Sequence, residues 1–187
     1  MTVVDTLYRR IEGLKDYQPV LMDVEERRRS AVLIPLLLDG DTPKLLYTQR
    51  SKHLKHHPGQ ISFPGGRLEE GETGWQAAVR ESFEEIGMPP HKVQQVGRID
   101  DVSSPRGFHV ECYMGLVEPF EPVVNTNEVE RIVQVDFDEL FDAALHSCRP
   151  FFDRDVHYFD FREGMVWGVT GEISFRLRNI LQNLQET

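Results

Sequence analysis

One stretch constrains this chain more than any other. Gly66 to Met88 reads GRLEEGETGWQAAVRESFEEIGM, and its second half carries Glu81, Glu84 and Glu85. At i, i+3 and i+4 these carboxylates are neighbours on one helix face. Like charges at that spacing destabilise an isolated helix by about 0.2–0.5 kcal/mol per pair. A cation completing the site would give a use to that repulsion, and hard carboxylate oxygens with room for water suit Mg2+ or Mn2+. The alternative is a plain solvated acidic face, the commoner fate of a helical charge run.

The helix has its own boundary signals. Thr73 stands as N-cap with Gln76 three residues on, which makes a capping box. Gly87 supplies the stop, and Pro89-Pro90 forbid continuation. At about 100° per residue, Trp75, Val79, Phe83 and Ile86 fall in a stripe roughly 80° wide. That stripe is expected to dock on the core, with Glu81, Glu84 and Glu85 in an opposite arc of about 100° pointing outward.

The flanks sharpen the expectation. Phe63-Pro64-Gly65-Gly66 precedes the helix, with Gly71 between, and paired glycines let a backbone approach a ligand closely. Gly66, five residues, Glu72, seven residues, Arg80-Glu81, two residues, Glu84-Glu85, one residue, Gly87 and Met88 together resemble the Nudix box. Ser82 stands where that family often has an aliphatic residue, and should face the core side. Upstream, Leu45-Leu46-Tyr47-Thr48-Gln49-Arg50-Ser51 leads through Lys55, Gly59 and Phe63 into the same glycines. This resembles the extra motif of the coenzyme A pyrophosphatases within the Nudix superfamily. An Arg commonly stands where this chain has Lys55, and lysine keeps the charge but loses the bidentate fork. The tail Val166-Trp167-Gly168-Val169-Thr170-Gly171 also resembles that subfamily, so the likeness runs over about residues 30 to 180.

Composition excludes several classes. The 187 residues suit one domain over 1–187 with a real core. A net charge of −10 argues against nonspecific nucleic-acid or membrane binding. It also requires local cations, metal or basic patch, to meet an anionic small-molecule substrate. Cys112 and Cys148 have no metal or redox spacing and are expected as reduced thiols of a cytoplasmic protein. The N-terminus lacks the apolar segment of a signal peptide, and Ala31–Leu38 is too short to span a bilayer.

Along the chain, Val3, Val4, Leu7, Ile11 and Leu14 give a short amphipathic helix at about 2–16, an appendage for the domain or a second subunit, so monomer and homodimer both stay open. Strands are expected at Ala31–Leu38 and Lys44–Gln49 around the turn Asp39-Gly40-Asp41, then at Val93–Ile99, His109–Val117 and Glu130–Val135. Pro105-Arg106-Gly107 reads as a turn. Phe137–His146 reads as a short helix with Asp136 as N-cap, and a last helix as Glu172–Leu184. Strands mixed with few helices suggest an α/β/α sandwich, and the resemblance implies the Nudix-type α/β/α sandwich with a mixed central sheet.

The resemblance implies metal-dependent hydrolysis of a diphosphate linked to another moiety. Glu81, Glu84 and Glu85 would be the metal ligands, with the carbonyl of Gly65 or Gly66 as a further one. Arg80 would orient carboxylates, Glu72 among them, unless it is a simple surface ion pair. The general base is open between Glu81, Glu84 and Glu128, the last of which is otherwise an exposed loop acid. Arg50 to His57 is the densest basic stretch of the chain, so substrate contacts are expected at Arg50, Ser51 and Lys55, beside Gly65, Gly66 and Arg67. A solvated basic loop, or a metal site at His53, His56 and His57, is the alternative there. Ser103-Ser104-Pro105-Arg106 is a candidate for adenine or phosphate contact, and Trp167 and Phe175 are expected in the core. The activity implied is cleavage of coenzyme A or its thioesters to 3′,5′-ADP and a 4′-phosphopantetheine species. The rivals are a Nudix hydrolase for another nucleoside diphosphate derivative and a catalytically silent ligand sensor.

Overall fold

The computed structural model describes residues 11–23, 28–40, 42–104, 107–152 and 154–184. The elements run β1 (Arg28–Leu37), β2 (Lys44–Arg50), β3 (Ile61–Ser62), β4 (Gly65–Arg67), α1 (Gly74–Ile86), β5 (Val93–Ser103), β6 (Phe108–Val117), β7 (Val129–Asp136), β8 (His146–Phe151), β9 (Arg154–Phe161), β10 (Gly164–Trp167) and α2 (Gly168–Asn183). Strands β1 to β7 form a mixed sheet in which β1 and β6 run parallel over their whole length, Arg28↔Phe108 to Leu37↔Val117.

The site is built around a break in this sheet. Strands β1 and β2 share only the rungs Leu36↔Leu45 and Leu37↔Lys44. Beyond them β2 pairs with β3 (Thr48↔Ser62), whereas β1 pairs with β4 (Ala31↔Gly66, Val32↔Gly65). The segment from β3 to β4 therefore fills the wedge between two diverging strands, which puts Gly65-Gly66 there.

Strand β1 is an unbroken apolar run because both its faces are covered. Ala31, Leu33 and Leu37 join Leu46, Tyr113 and Val117 under Ala77, Ala78 and Ile86 of α1. Ile34 and Leu36 face the other way, into a larger core with Leu45, Tyr47, Met114, Phe159, Phe161, Ile173 and Leu177. That second layer is α2 together with the antiparallel sheet β8–β9–β10. The mixed sheet between two outer layers is the α/β/α sandwich expected of the sequence.

Several local expectations change. Phe137–His146 is no α-helix but two 3-10 turns, Phe137–Phe141 and Ala143–Leu145, followed by β8, and Asp136 makes no side-chain capping bond. Here Phe137 and Leu140 anchor one turn in the core, and the Asp142 side chain accepts from Ala144 N–H at 2.8 Å to start the next. Strands β8 to β10 were not anticipated. The last helix begins earlier, at Gly168, whose φ of 67° turns the chain out of β10. Trp167 is 44% exposed, not core.

The face that α1 buries is also rotated from the expected one. Gly74, Ala77, Ala78, Ser82, Glu85 and Ile86 are buried, while Phe83 is 54% exposed. Small residues decide this, because they let the helix lie close to the sheet: a Cβ on Gly74 would collide with Glu111 and Tyr113. Ser82 is buried as expected, its hydroxyl donating to Ala78 O at 2.7 Å. Of the N-terminal helix, residues 11–13 are helical, with Ile11 and Leu14 in the larger core, and residues 1–10 lie outside the described ones. Asp41, Pro105 and Arg106, named in two turns, lie outside them too. Among the described residues, no helix is long and apolar enough to cross a membrane.

Candidate active site

Helix α1 opens with the capping box its sequence promised. Thr73 N–H donates to Gln76 Oε1 at 2.9 Å, and Gln76 N–H donates to Thr73 Oγ1 at 3.3 Å. Gly87 closes the helix in the left-handed region, φ 69°, its N–H reaching Phe83 O. The next orphan carbonyls are taken by the chain that leads to β7: Val123 N–H donates to Ile86 O at 3.0 Å and Asn125 N–H to Glu85 O at 2.9 Å. The same loop carries Glu128, so capping the helix also brings that acid to the helix C-terminus.

Arg80 organises the acidic face. Its Nε and Nη2 grip both oxygens of Glu72 at 2.9 and 3.1 Å. Its Nη1 donates to Glu81 Oε1 at 3.0 Å and Glu84 Oε2 at 3.2 Å, and Nη2 also reaches the Arg67 carbonyl at 3.0 Å. A guanidinium has five N–H donors, and these contacts use them all. The Glu72 carboxyl is held below its usual range chiefly by the Arg80 hydrogen bond.

The three glutamates of the expected metal site differ in environment. Glu84 is exposed on α1. Glu81 is half-buried, and burial lifts its carboxyl above the ordinary value, opposed by Arg80 and reinforced by the charges of Glu84 and Glu128. Glu85 is only 5% exposed, contrary to an arc that points wholly outward. Burial, and then the Glu81 charge, push its carboxyl up to about 8, although the Gly65 N–H and the Arg50 charge pull the other way. On its protein side Glu85 accepts from the Thr48 hydroxyl at 3.3 Å.

The glycines are needed where they stand. A Cβ on Gly66 would collide with the Glu81 carboxylate, and one on Gly65 with the Ala31 carbonyl, so the wedge lets bare backbone pass against the acids. Arg50 ends β2; its N–H donates to Gln60 O and its carbonyl accepts from Gly59 N–H, which closes the loop 51–59 at its base. Its Nε is buried with no hydrogen-bond partner. Ser51 is buried, donates its N–H to Glu128 O at 2.9 Å, and pairs through its hydroxyl with His53.

The structure thus gathers Arg50, Ser51, Gly65, Gly66, Glu81, Glu85 and Glu128, with Arg80 and Glu84 beside them. It leaves Lys55 exposed on the loop, and turns the Arg67 side chain away to lie 5.0 Å over the Phe108 ring. Of Ser103 to Arg106, the last two lie outside the described residues. Among the described residues, no three His, Cys, Asp or Glu side chains close on one point as a metal cluster, His53 and His56 included. At the glutamates, Glu81, Glu84 and Glu72 all engage Arg80 instead. The donor chemistry still fits a hard divalent cation. A buried carboxylate raised by a like charge, with an adjacent carboxylate and backbone carbonyls, gains from one and lacks a direct cationic partner in its place. Thr48 was missed in the sequence; a hydroxyl amid the apolar run of β2 was its signal.

The family model for the NUDIX domain matches residues 27–155. The chain belongs to the Nudix family. It is similar to proteins named "Uncharacterized Nudix hydrolase NudL", at 34% identity to that of Pectobacterium atrosepticum over 85% of each chain, and at 33% to that of an Enterobacter species over 81% of each. Among solved structures, a C. elegans Ap4A hydrolase binary complex matches with TM-score 0.58 and 16% identity, over 84% of this chain and 99% of that one. A MutT/nudix family protein from Enterococcus faecalis matches with TM-score 0.57 and 16% identity, over 98% of this chain and 70% of that one. At those identities the structures speak for the fold alone. The chain is a Nudix hydrolase, a family of pyrophosphohydrolases acting on small molecules and generally using divalent metal ions.

Proposed function

We propose that this hydrolase cleaves the pyrophosphate of coenzyme A or its thioesters, giving 3′,5′-ADP and a 4′-phosphopantetheine species. The observation that carries this reading is the meeting of two motifs. Arg50 and Ser51 come from the stretch that resembles coenzyme A pyrophosphatases; the Arg50 charge acts on Glu85 of the Nudix box, and the Ser51 N–H donates to the Glu128 carbonyl.

Glu81, Glu84 and Glu85, with the Gly65 carbonyl, would hold Mg2+ or Mn2+. A divalent cation bound there supplies charge neutralisation and a more acidic water. Arg80 holds Glu72, Glu81 and Glu84 in register along the helix. Glu128 is the residue we assign to accept the proton of the attacking water, because it stands free of the Arg80 network. Water forms the new bond to phosphorus and gives its proton to Glu128, the bridging P–O bond breaks, and the departing phosphate leaves with the electron pair of that bond. Arg50 brings a guanidinium charge beside Glu85, and a phosphate brought to the site would meet that charge. The protein works in the cytoplasm on a small molecule, without nucleic-acid or membrane partners.

The test compares kcat/KM for coenzyme A, dephospho-coenzyme A and ADP-ribose. A clear preference for coenzyme A supports the reading. Equal or faster turnover of ADP-ribose moves the substrate to another nucleoside diphosphate derivative, and tight binding without turnover makes the chain a sensor.

A further inference from the structure

We infer that Thr48 is a positioning residue for the metal carboxylate Glu85, an inference that rests on the assignment of Glu85 as a ligand. Thr48 is 1% exposed in the middle of β2. Its Cα pairs with Ser62 on one side and Ile132 on the other, so strands fix it from both edges. Its hydroxyl faces two acceptors, Glu85 Oε2 at 3.3 Å and the Ser62 carbonyl at 3.4 Å.

A hydroxyl has one proton, and Glu85 in the ionised form that would hold a cation is the stronger acceptor of the two. Thr48 therefore binds the Glu85 oxygen, and the Gly65 N–H favours the charged form of the same carboxyl. Between them, β2 and the β3–β4 segment fix where the Glu85 oxygens lie. Glu85 itself comes from a third element, α1. A glutamate side chain has three rotatable bonds, and a ligand left to choose among rotamers binds a cation more weakly than one already aimed. Hydrogen-bond partners behind a ligand commonly contribute 10- to 100-fold in metal affinity. At 1% exposure Thr48 has almost no surface to offer a substrate; it acts through Glu85.

Mn2+ binding to the full-length protein, measured by titration calorimetry without substrate, tests this. Thr48→Val keeps the shape and removes the hydroxyl, and is expected to weaken Mn2+ binding about 10-fold or more. Thr48→Ser restores the hydroxyl and is expected to stay within about threefold of wild type. A residue that served packing alone would give the opposite order, because serine lacks the methyl. In a Glu85→Gln background, Thr48→Val is expected to add no further loss. Should the valine variant fail to fold, Thr48→Ala replaces it in the same comparison. Wild-type Mn2+ affinity in the hydroxyl-free variant, with Glu85→Gln impaired, overturns the role of Thr48 alone. Wild-type affinity in Glu85→Gln overturns the ligand assignment and this inference with it.

Discussion

Arg80 grips both oxygens of Glu72, eight residues earlier in the chain, at 2.9 and 3.1 Å. This forked contact ties the loop before α1 to the helix itself. The other donors of the same guanidinium hold Glu81 and Glu84, so one side chain sets the spacing of the acidic face. Lysine offers a point charge with no fork. Arg80→Lys is expected to lower kcat/KM about 10- to 100-fold, as loss of a ligand-orienting partner does. Steady-state kinetics at saturating Mg2+ checks this. Unchanged kinetics would make the network a surface ion-pair cluster.

Glu85 and Arg50 are expected to fail in different parameters. Glu85→Gln or Glu84→Gln removes a proposed metal ligand and should mainly lower kcat. Arg50→Ala removes a proposed phosphate contact and should mainly raise KM. Wild-type kcat in both glutamate variants would contradict the metal assignment.

Burial of Glu85 predicts a pH dependence for the metal-free protein. The carboxyl ionises near 4.5 when unfolded and near 8 when folded. Between those values the unfolded chain binds fewer protons, so the stability contributed at low pH is lost as pH rises through about 8. The Tm of metal-free protein is expected to fall between pH 6 and 8.5 (about 2.5 pH units across this window), and Glu85→Gln to flatten that fall. Mg2+ should raise Tm more at the upper end. Identical profiles for wild type and Glu85→Gln would contradict it.

A second pH effect has the opposite sign. Arg178 Nη2 donates to His146 Nδ1 at 3.3 Å, and guanidinium has no acceptor. The His146 proton must then sit on Nε2, facing His157 Nδ1 at 2.9 Å, which leaves the His157 proton on Nε2 towards Glu172 at 3.7 Å. Burial chiefly holds both imidazoles below their ordinary value, helped by Arg178 and, for His146, by His157. Glu172 and Asp155 oppose this at His157, and Arg176 adds to it. The unfolded histidines titrate near 6.5, so stability is lost as pH falls below that value. Nitrogen-15 NMR is expected to find both rings neutral and protonated on Nε2 at pH 7.5. An Nδ1–H form of either would contradict the chain.

The sequence made α1 legible through its caps because those depend on neighbours within four residues. Its buried face was not legible in the same way. Periodicity weighted Trp75, Val79 and Phe83 as core, but docking against Glu111 and Tyr113 favours the small residues Gly74, Ala77, Ala78 and Ser82. Strand β9 held a readable alternation, with His157, Phe159 and Phe161 inward, that the polar residues between them obscured. Glu85 looked like its neighbours Glu81 and Glu84. Its burial, beside Gly65 and with Thr48 of β2 under it, makes it different.

The most direct measurement is product analysis by chromatography and mass spectrometry after incubating the protein with coenzyme A and Mg2+ or Mn2+. The account predicts 3′,5′-ADP and 4′-phosphopantetheine, released ahead of products from NADH, ADP-ribose or nucleoside triphosphates and absent with EDTA. Intact coenzyme A alongside hydrolysis of another diphosphate in the same panel would contradict it.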